Sequence, residues 1–135
     1  MEEFELVERS PTVEEYRRLR DAVGWGEIPE EGLAAGLGSA LFSCVVLHDG
    51  EAVACGRVIG DGGMYFYVQD VIVIPEYHGK GLGAQVMEAI VGYLGGTAKT
   101  GAFVGLMAAQ NAEGFYERYG FHRRPDDRPG MFRVW

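Results

Sequence analysis

The sequence predicts a mixed α/β (α+β) fold forming one domain over residues 1–135, and three observations carry that reading. First, residues 64–94 change period partway along. Tyr65 to Ile74 is β-branched and aromatic, as in a strand, whereas Leu82, Val86, Ala89, Ile90 and Tyr93 recur at helical spacing. Second, Leu41–Leu47 and Glu51–Ile59 flank Asp49-Gly50, the signature of a β-hairpin with a two-residue turn. Third, 135 residues with 47% hydrophobic content suffice for one well-formed core and not for two.

Taken in order, Phe4–Arg9 reads as a short first strand. Thr12-Val-Glu-Glu15 is a capping box, in which the threonine oxygen takes an orphan amide and Glu15 answers back. Val13, Tyr16, Leu19 and Val23 trace one face of the helix that follows, with Gly24 as its stop. After Trp25-Gly-Glu-Ile-Pro29 comes a weaker helix from Glu30 to about Ser39, interrupted by Gly32, Gly36 and Gly38. Each interior glycine costs about 1 kcal/mol relative to alanine. A marginal helix beside an aromatic loop suits the movable wall of a binding site, and equally a tryptophan packed on the core.

The hairpin register sets residue 48 opposite 51, and therefore Cys44 opposite Cys55. Two facing thiols in a reducing compartment are expected to be small buried hydrophobes. Asp61-Gly-Gly63 turns the chain into the central strand, which Pro75 ends because proline cannot donate to a ladder. Beyond the central helix, Gly95-Gly96 breaks the chain and Phe103–Met107 reads as a strand. Asn111 then caps a helix whose stripe is Ala112, Phe115, Tyr116 and Tyr119, and which Gly120 stops. Phe121–Arg124 and Met131–Trp135 read as two last strands.

Between central strand and central helix lies His78-Gly79-Lys80-Gly81-Leu82-Gly83. Glycines at alternate positions admit a ligand close to the backbone, and the amides opening the helix have no internal partner. With the partial positive charge of a helix start, this is a seat for phosphate. A P-loop is excluded because no Gly-Lys-Ser/Thr tripeptide occurs in the chain. A dinucleotide fingerprint fits loosely at Gly79-x-Gly81-x-x-Ala84, but the loop starts four residues after the strand and no acid follows the helix at the required place.

Val73-Ile-Pro75 followed by Gly81-Leu-Gly83 resembles the acyl-CoA-binding motif of the GNAT superfamily of N-acetyltransferases, with His78 where that family usually has Arg or Gln. Asn111-x-x-x-Phe115-Tyr-Glu-x-Tyr-Gly-Phe121 resembles the second half of the same signature, and the order of elements agrees over nearly the whole chain. The resemblance implies a mixed, mostly antiparallel central sheet of six to seven strands flanked by about four helices. It implies acetyl-CoA as co-substrate, with the pantetheine arm on backbone groups of Val71, Ile72 and Val73. The pyrophosphate would sit on His78, Gly79, Lys80, Gly81, Leu82, Gly83 and Ala84, and Asn111 would bond the cofactor. Tyr116 matches the tyrosine that protonates the departing CoA thiolate. The acceptor would be a primary amine of a small molecule or peptide, attacking the thioester directly, so neither cysteine has a catalytic task.

Trp25, Tyr65, Tyr67 and Gln69 suggest an aromatic acceptor wall suited to an amine or an aryl group. Arg123 and Arg124 suit either a carboxylate or plain solvent exposure. No residue stands out as general base: in a regular strand Tyr67, Gln69 and Val71 share a face and Asp70 points away, unless a bulge re-aims it. A net charge of −8 argues against nucleic acid as partner and is compatible with a cationic amine. No close Cys/His cluster suggests a metal, and no apolar run is long enough to span a membrane. The acidic start, Met-Glu-Glu-Phe-Glu, lacks a signal pattern, so the expected location is cytoplasmic. The apolar end leaves monomer and homodimer open. The alternative function is a CoA-binding sensor or regulatory module without turnover.

Overall fold

The computed structural model describes residues 2–135. Its sheet runs β1 (Glu5–Val7), β2 (Phe42–His48), β3 (Glu51–Gly60), β4 (Tyr65–Val73) and β5 (Phe103–Gly105), hydrogen-bonded in that order. All neighbours are antiparallel except β4 and β5, which are parallel and joined by the central helix. The helices are α1 (Val13–Ala22), α2 (Glu30–Leu37), α3 (Leu82–Thr97) and α4 (Glu113–Glu117).

Local chemistry explains the ends of these elements. Thr12 accepts from the Glu15 amide and Glu15 accepts from the Thr12 amide, so the capping box forms at the start of α1. At the other end Gly24 turns left-handed, φ +71°, and Trp25 N–H returns to the Arg20 carbonyl. Asp49 and Gly50 both take positive φ, 50° and 79°, the twist that a two-residue hairpin turn demands. Asp61 Oδ1 accepts from the amides of Gly63, Met64 and Tyr65, at 2.8, 2.8 and 3.1 Å, and fixes the turn into β4.

The core lies between the sheet and α3, which buries Leu82, Val86, Met87, Ile90 and Leu94. Gly56 on β3 makes this approach possible, because a Cβ there would overlap Val86 and press on Ile90. A smaller cluster of Tyr16, Leu33 and Leu37 holds α1 to α2.

Three sequence expectations are corrected. The hairpin starts in the expected register, His48 opposite Glu51, but Leu47 faces Ala52 and Val46 faces Ala54. Val53 is thus an extra residue, and the slip sets Cys44 opposite Gly56 and Val45 opposite Cys55. Among the described residues the sheet has five strands rather than six to seven. Residues 121–124 lead into a turn, with Arg128 N–H on the Pro125 carbonyl and Arg124 Nε on the Arg128 carbonyl. Pro125 and Pro129 lack the N–H groups that a ladder would need, and residues 131–135 are exposed. Finally, Asn111 does not cap α4. It takes φ +66°, the N-cap is Ala112, and no side chain caps that helix.

Candidate active site

The central feature is the way β4 outruns its neighbour. Tyr65, Phe66 and Tyr67 pair with Phe103, Val104 and Gly105, and there β5 stops while β4 continues to Val73. Ile74 N–H donates to Val53 on β3, 3.0 Å. By the two-residue period of a ladder, Ile72 also points its peptide groups toward β3, whereas Val71 and Val73 present theirs to the open edge. His78 Nε2 lies 2.9 Å from the Val73 carbonyl and donates to it in the tautomer that carries the proton there. This contact confirms the outward direction of Val73 and ties the glycine loop to the strand edge.

Behind that edge, Pro75–Tyr77 form one 3₁₀ turn and the glycine loop opens α3. Gly79 and Gly81 are left-handed, φ +79° and +80°, and nothing lies within 4 Å of a Cβ at either position. The first α-helical bond is Gln85 N–H to the Gly81 carbonyl, so the amides of Leu82, Gly83 and Ala84 precede it and have no intrahelical acceptor. A Cβ on Gly83 would stand 3.4 Å from Phe115 and 3.8 Å from Val73, so the helix start is packed between β4 and α4. Lys80 Nζ is 2.5 Å from Glu2 Oε1, which leaves backbone dipoles as the main positive feature of the seat. The cradle fits a pyrophosphate: free amides, left-handed glycines and open space coincide at the end of a strand edge with outward peptide groups.

Against the start of α3 stands α4, through Phe115 beside Gly83. Leu106, Ala108, Glu113, Tyr116, Phe121 and Arg123 are among the residues lining a cavity of about 470 Å³. Tyr116 is half-buried, edge-on to Phe115 (5.1 Å between centroids) and Phe121 (6.4 Å). Burial pushes its hydroxyl pKa up, so it remains a proton donor well into the alkaline range. Asn111 is exposed, just ahead of α4. A larger groove of about 1230 Å³ brings Tyr65 and Tyr67 together with Phe103, Met107, Arg123 and Arg124. Trp25 lies elsewhere, at the end of α1, with its ring 5.8 Å from the Arg20 guanidinium. Gln69 turns its amide to Asp70 Oδ1, 3.1 Å. Arg123 pairs with Glu113 at 2.7 Å, so it is already engaged.

Sequence reasoning left Asp70 open, and the structure gives it a definite place. The register between β3 and β4 slips between Cys55 and Arg57, so Asp70 and Val71 together oppose Gly56, and Asp70 takes φ +57°. This is the bulge that re-aims the side chain. Only 3% exposed, Asp70 accepts from Tyr16 Oη (2.8 Å), Arg57 Nε (2.7 Å) and Gln69 Nε2, with Arg20 at 3.9 Å. The Tyr16 hydroxyl is pushed up by its own burial and then by the adjacent carboxylate. No local signal announces this cluster, since its members come from α1, β3 and β4. Both thiols are buried and free; burial raises Cys44 to about 12 and raises Cys55 as well, so neither supplies a thiolate near neutrality. Among the described residues no group of three or more His, Cys, Asp or Glu side chains is placed to hold a metal, and no helix is long and apolar enough to cross a membrane.

A strand edge left free where β5 ends, with a glycine cradle at the start of the next helix, suits the binding of an acyl-CoA by an acyltransferase. The acetyltransferase (GNAT) domain family matches residues 36–123. The chain is 30% identical over 122 residues to an uncharacterized N-acetyltransferase, ycf52, of Porphyra purpurea, covering 87% of this chain and 69% of that one. It is 40% identical over 82 residues to a chloroplastic serotonin N-acetyltransferase 2 of Oryza sativa subsp. japonica, covering 61% and 40%. A crystal structure of a probable acetyltransferase of unknown function from meticillin-resistant Staphylococcus aureus superposes with a TM-score of 0.93. That pair is 31% identical, over 98% of this chain and 100% of the other. The chain belongs to the GNAT family and is an acetyl-CoA-dependent N-acetyltransferase.

Proposed function

We propose that this enzyme transfers the acetyl group directly to a primary amine of a small molecule, or of a peptide, with Tyr116 as the general acid. The observation that carries the reading is the free edge of β4 beyond Tyr67 and Gly105, with the glycine loop and the start of α3 held to its end through His78 and Val73. Acetyl-CoA supplies the activated acetyl thioester. The outward peptide groups of Val71 and Val73 orient the pantetheine arm, with Ile72 fixing their spacing. An outward amide of this run also polarises the thioester carbonyl. Leu82, Gly83 and Ala84 offer their amides to the pyrophosphate, and Gly79 and Gly81 let it approach. His78 holds the loop against Val73 and Asn111 contacts the cofactor. Lys80 contributes charge to the seat once it leaves Glu2.

As the amine nitrogen bonds to the carbonyl carbon, the carbon–sulfur bond breaks, the Tyr116 hydroxyl gives its proton to the thiolate, and the surplus proton on the nitrogen restores the tyrosine. The bound amine loses its extra proton to water, since Asp70 is occupied by three hydrogen-bond donors. Tyr65 and Tyr67 offer aromatic faces to the acceptor, and the net charge of −8 favours a cationic one. Gln69 and Trp25 complete the acceptor side only if α2 and the loop before it close over the site. An arylalkylamine is the first acceptor to try, given these faces and the name of the rice relative.

The test is a thermal-shift titration with acetyl-CoA, followed by free-thiol release over a panel of amines. Saturation at 100 times the dissociation constant adds about 2.7 kcal/mol to stability, a shift of several degrees. Stabilisation with thiol release from one amine class supports the proposal. Stabilisation without release from any amine or peptide points instead to a regulatory module, and no stabilisation at millimolar acetyl-CoA sinks the site assignment.

A further inference from the structure

The peptide that joins Asp70 to Val71 is held from its far side. All peptide bonds among the described residues are trans, so the Asp70 carbonyl and the Val71 N–H leave one plane in opposite directions. The carbonyl accepts from Cys55 Sγ on β3, at 3.2 Å. The N–H therefore faces away from β3, toward the side of β4 that has no neighbour beyond Tyr67. A second tie acts on the side chain of the same residue. Asp70 is buried and left-handed, a conformation that a residue with a Cβ keeps only where its surroundings over-determine it. Tyr16 Oη on α1 and Arg57 Nε on β3 donate to its Oδ2, at 2.8 and 2.7 Å. Arg57 is fixed in turn by the Gly36 carbonyl, 3.2 Å from its Nη1. Burial raises the pKa of the Tyr16 hydroxyl and of the Cys55 thiol, so both keep their protons and remain donors near neutrality. The proposed mechanism uses neither group.

We propose that Cys55 and Tyr16 are positioning residues for acetyl transfer: through the carbonyl and the carboxylate of Asp70 they aim the Val71 N–H at the carbonyl oxygen of the acetyl thioester. Cys55 sets the tilt of the peptide, and Tyr16 holds the bulged residue that carries it. Neither side chain touches the co-substrate. The ladder alone does not fix this peptide, because the bulge places Asp70 and Val71 together opposite Gly56. A hydrogen bond weakens steeply as its angle closes, so a small rotation of the peptide costs the thioester its polarising donor. The inference rests on the proposed placement of the thioester on the edge of β4. It gives the buried thiol a task as a donor, with no need of its reactivity.

Isotope-edited infrared spectroscopy of the full chain, saturated with acetyl-CoA labelled at the thioester carbonyl, tests it without an acceptor. A hydrogen bond to that oxygen lowers its stretching frequency, so the bound band of the parent should lie below that of free acetyl-CoA. Cys55→Ala and Tyr16→Phe should each lose a large part of this displacement. Their affinity for acetyl-CoA should stay nearly unchanged, because the amides of the glycine cradle are untouched. Cys55→Ser keeps a donor at the place of the thiol and should retain the displacement, whereas a packing role alone would treat serine and alanine alike. A displacement kept in full by both Cys55→Ala and Tyr16→Phe overturns the inference and leaves the placement of the thioester standing. Equal losses in Cys55→Ala and Cys55→Ser overturn it as well. A parent band at the frequency of free acetyl-CoA, with the ligand bound, removes the polarising amide from the proposed function and the inference with it.

Discussion

Tyr116 meets the rings of Phe115 and Phe121 edge-on, and its raised pKa follows from that half-apolar setting. A general acid must hold its proton at working pH, so the upward direction helps rather than hinders. Tyr116→Phe should lower kcat by about 100-fold or more, within the usual range for general acid catalysis, and leave the KM for acetyl-CoA nearly unchanged. In the parent enzyme the alkaline fall in kcat should lie above the ordinary tyrosine value, and in the variant that limb should vanish from the pH–rate profile. Asp70 calls for a different experiment, because its neighbours make it structural. Asn tolerates a positive φ, so Asp70→Asn keeps the bulge and removes only the charge. Arg57 is then left buried without its counter-ion, and urea unfolding should show a loss of roughly 3 kcal/mol. Removing both charges, with Arg57→Leu added, should recover part of that loss. The place of Tyr116 on a helix was legible in the sequence because its motif is local. The Asp70 cluster was not, because Tyr16 and Arg57 reach it from 54 and 13 residues away.

Single residues also decide how whole elements meet. Gly56 sits where α3 crosses β3, and Gly56→Ala would force Val86 and Ile90 outward. Overpacking of this kind costs about 1–3 kcal/mol. Because α3 carries the glycine cradle at its start, the same variant should weaken acetyl-CoA binding in a titration, although residue 56 touches no ligand. At the start of α1, Arg9 at 2.8 Å and the Thr12 amide hold the Glu15 carboxyl down to about 2, from an ordinary 4.5. A depressed pKa stabilises the fold above the ordinary value, and that contribution is lost as pH falls from 4.5 towards 2. Glutamine can still return the capping bond, so Glu15→Gln isolates the charge. Stability of the variant should be lower at neutral pH by on the order of 1 kcal/mol and flatter across that acid window, as followed by chemical denaturation. Elements with local signals were legible: the capping box, the Asp49-Gly50 turn, the glycine loop. The bulges at Val53 and Asp70 were not, since a run of β-branched and small residues gives no sign of which one slips. Their effects differ. The first displaces Cys44 from Cys55, and the second shapes the edge on which the cofactor is proposed to bind.

At the scale of the molecule, the proposed phosphate seat sits on a chain of net charge −8. Its lysine, Lys80, is paired with Glu2, so in the proposed seat the helix amides meet the phosphate first and Lys80 adds its charge on release. Amide dipoles act over a few ångströms, whereas net charge acts over the Debye length, about 30 Å at 0.01 M salt and about 10 Å at 0.1 M. The anionic co-substrate therefore meets long-range repulsion that salt removes, and short-range attraction that salt affects little. Raising salt from about 0.01 to about 0.1 M should lower the KM for acetyl-CoA, by roughly two- to fivefold. A cationic amine acceptor feels the opposite field, and its KM should rise over the same interval. The two trends can be read from one set of steady-state measurements, and their opposition is the test. If the KM for acetyl-CoA instead rose with salt, surface cations would have to carry the phosphate, with Lys80 released from Glu2 as the first to replace. If the acceptor KM did not move, the preferred amine would be neutral in its reactive form, and the aromatic faces of Tyr65 and Tyr67 would then outweigh net charge in selecting it.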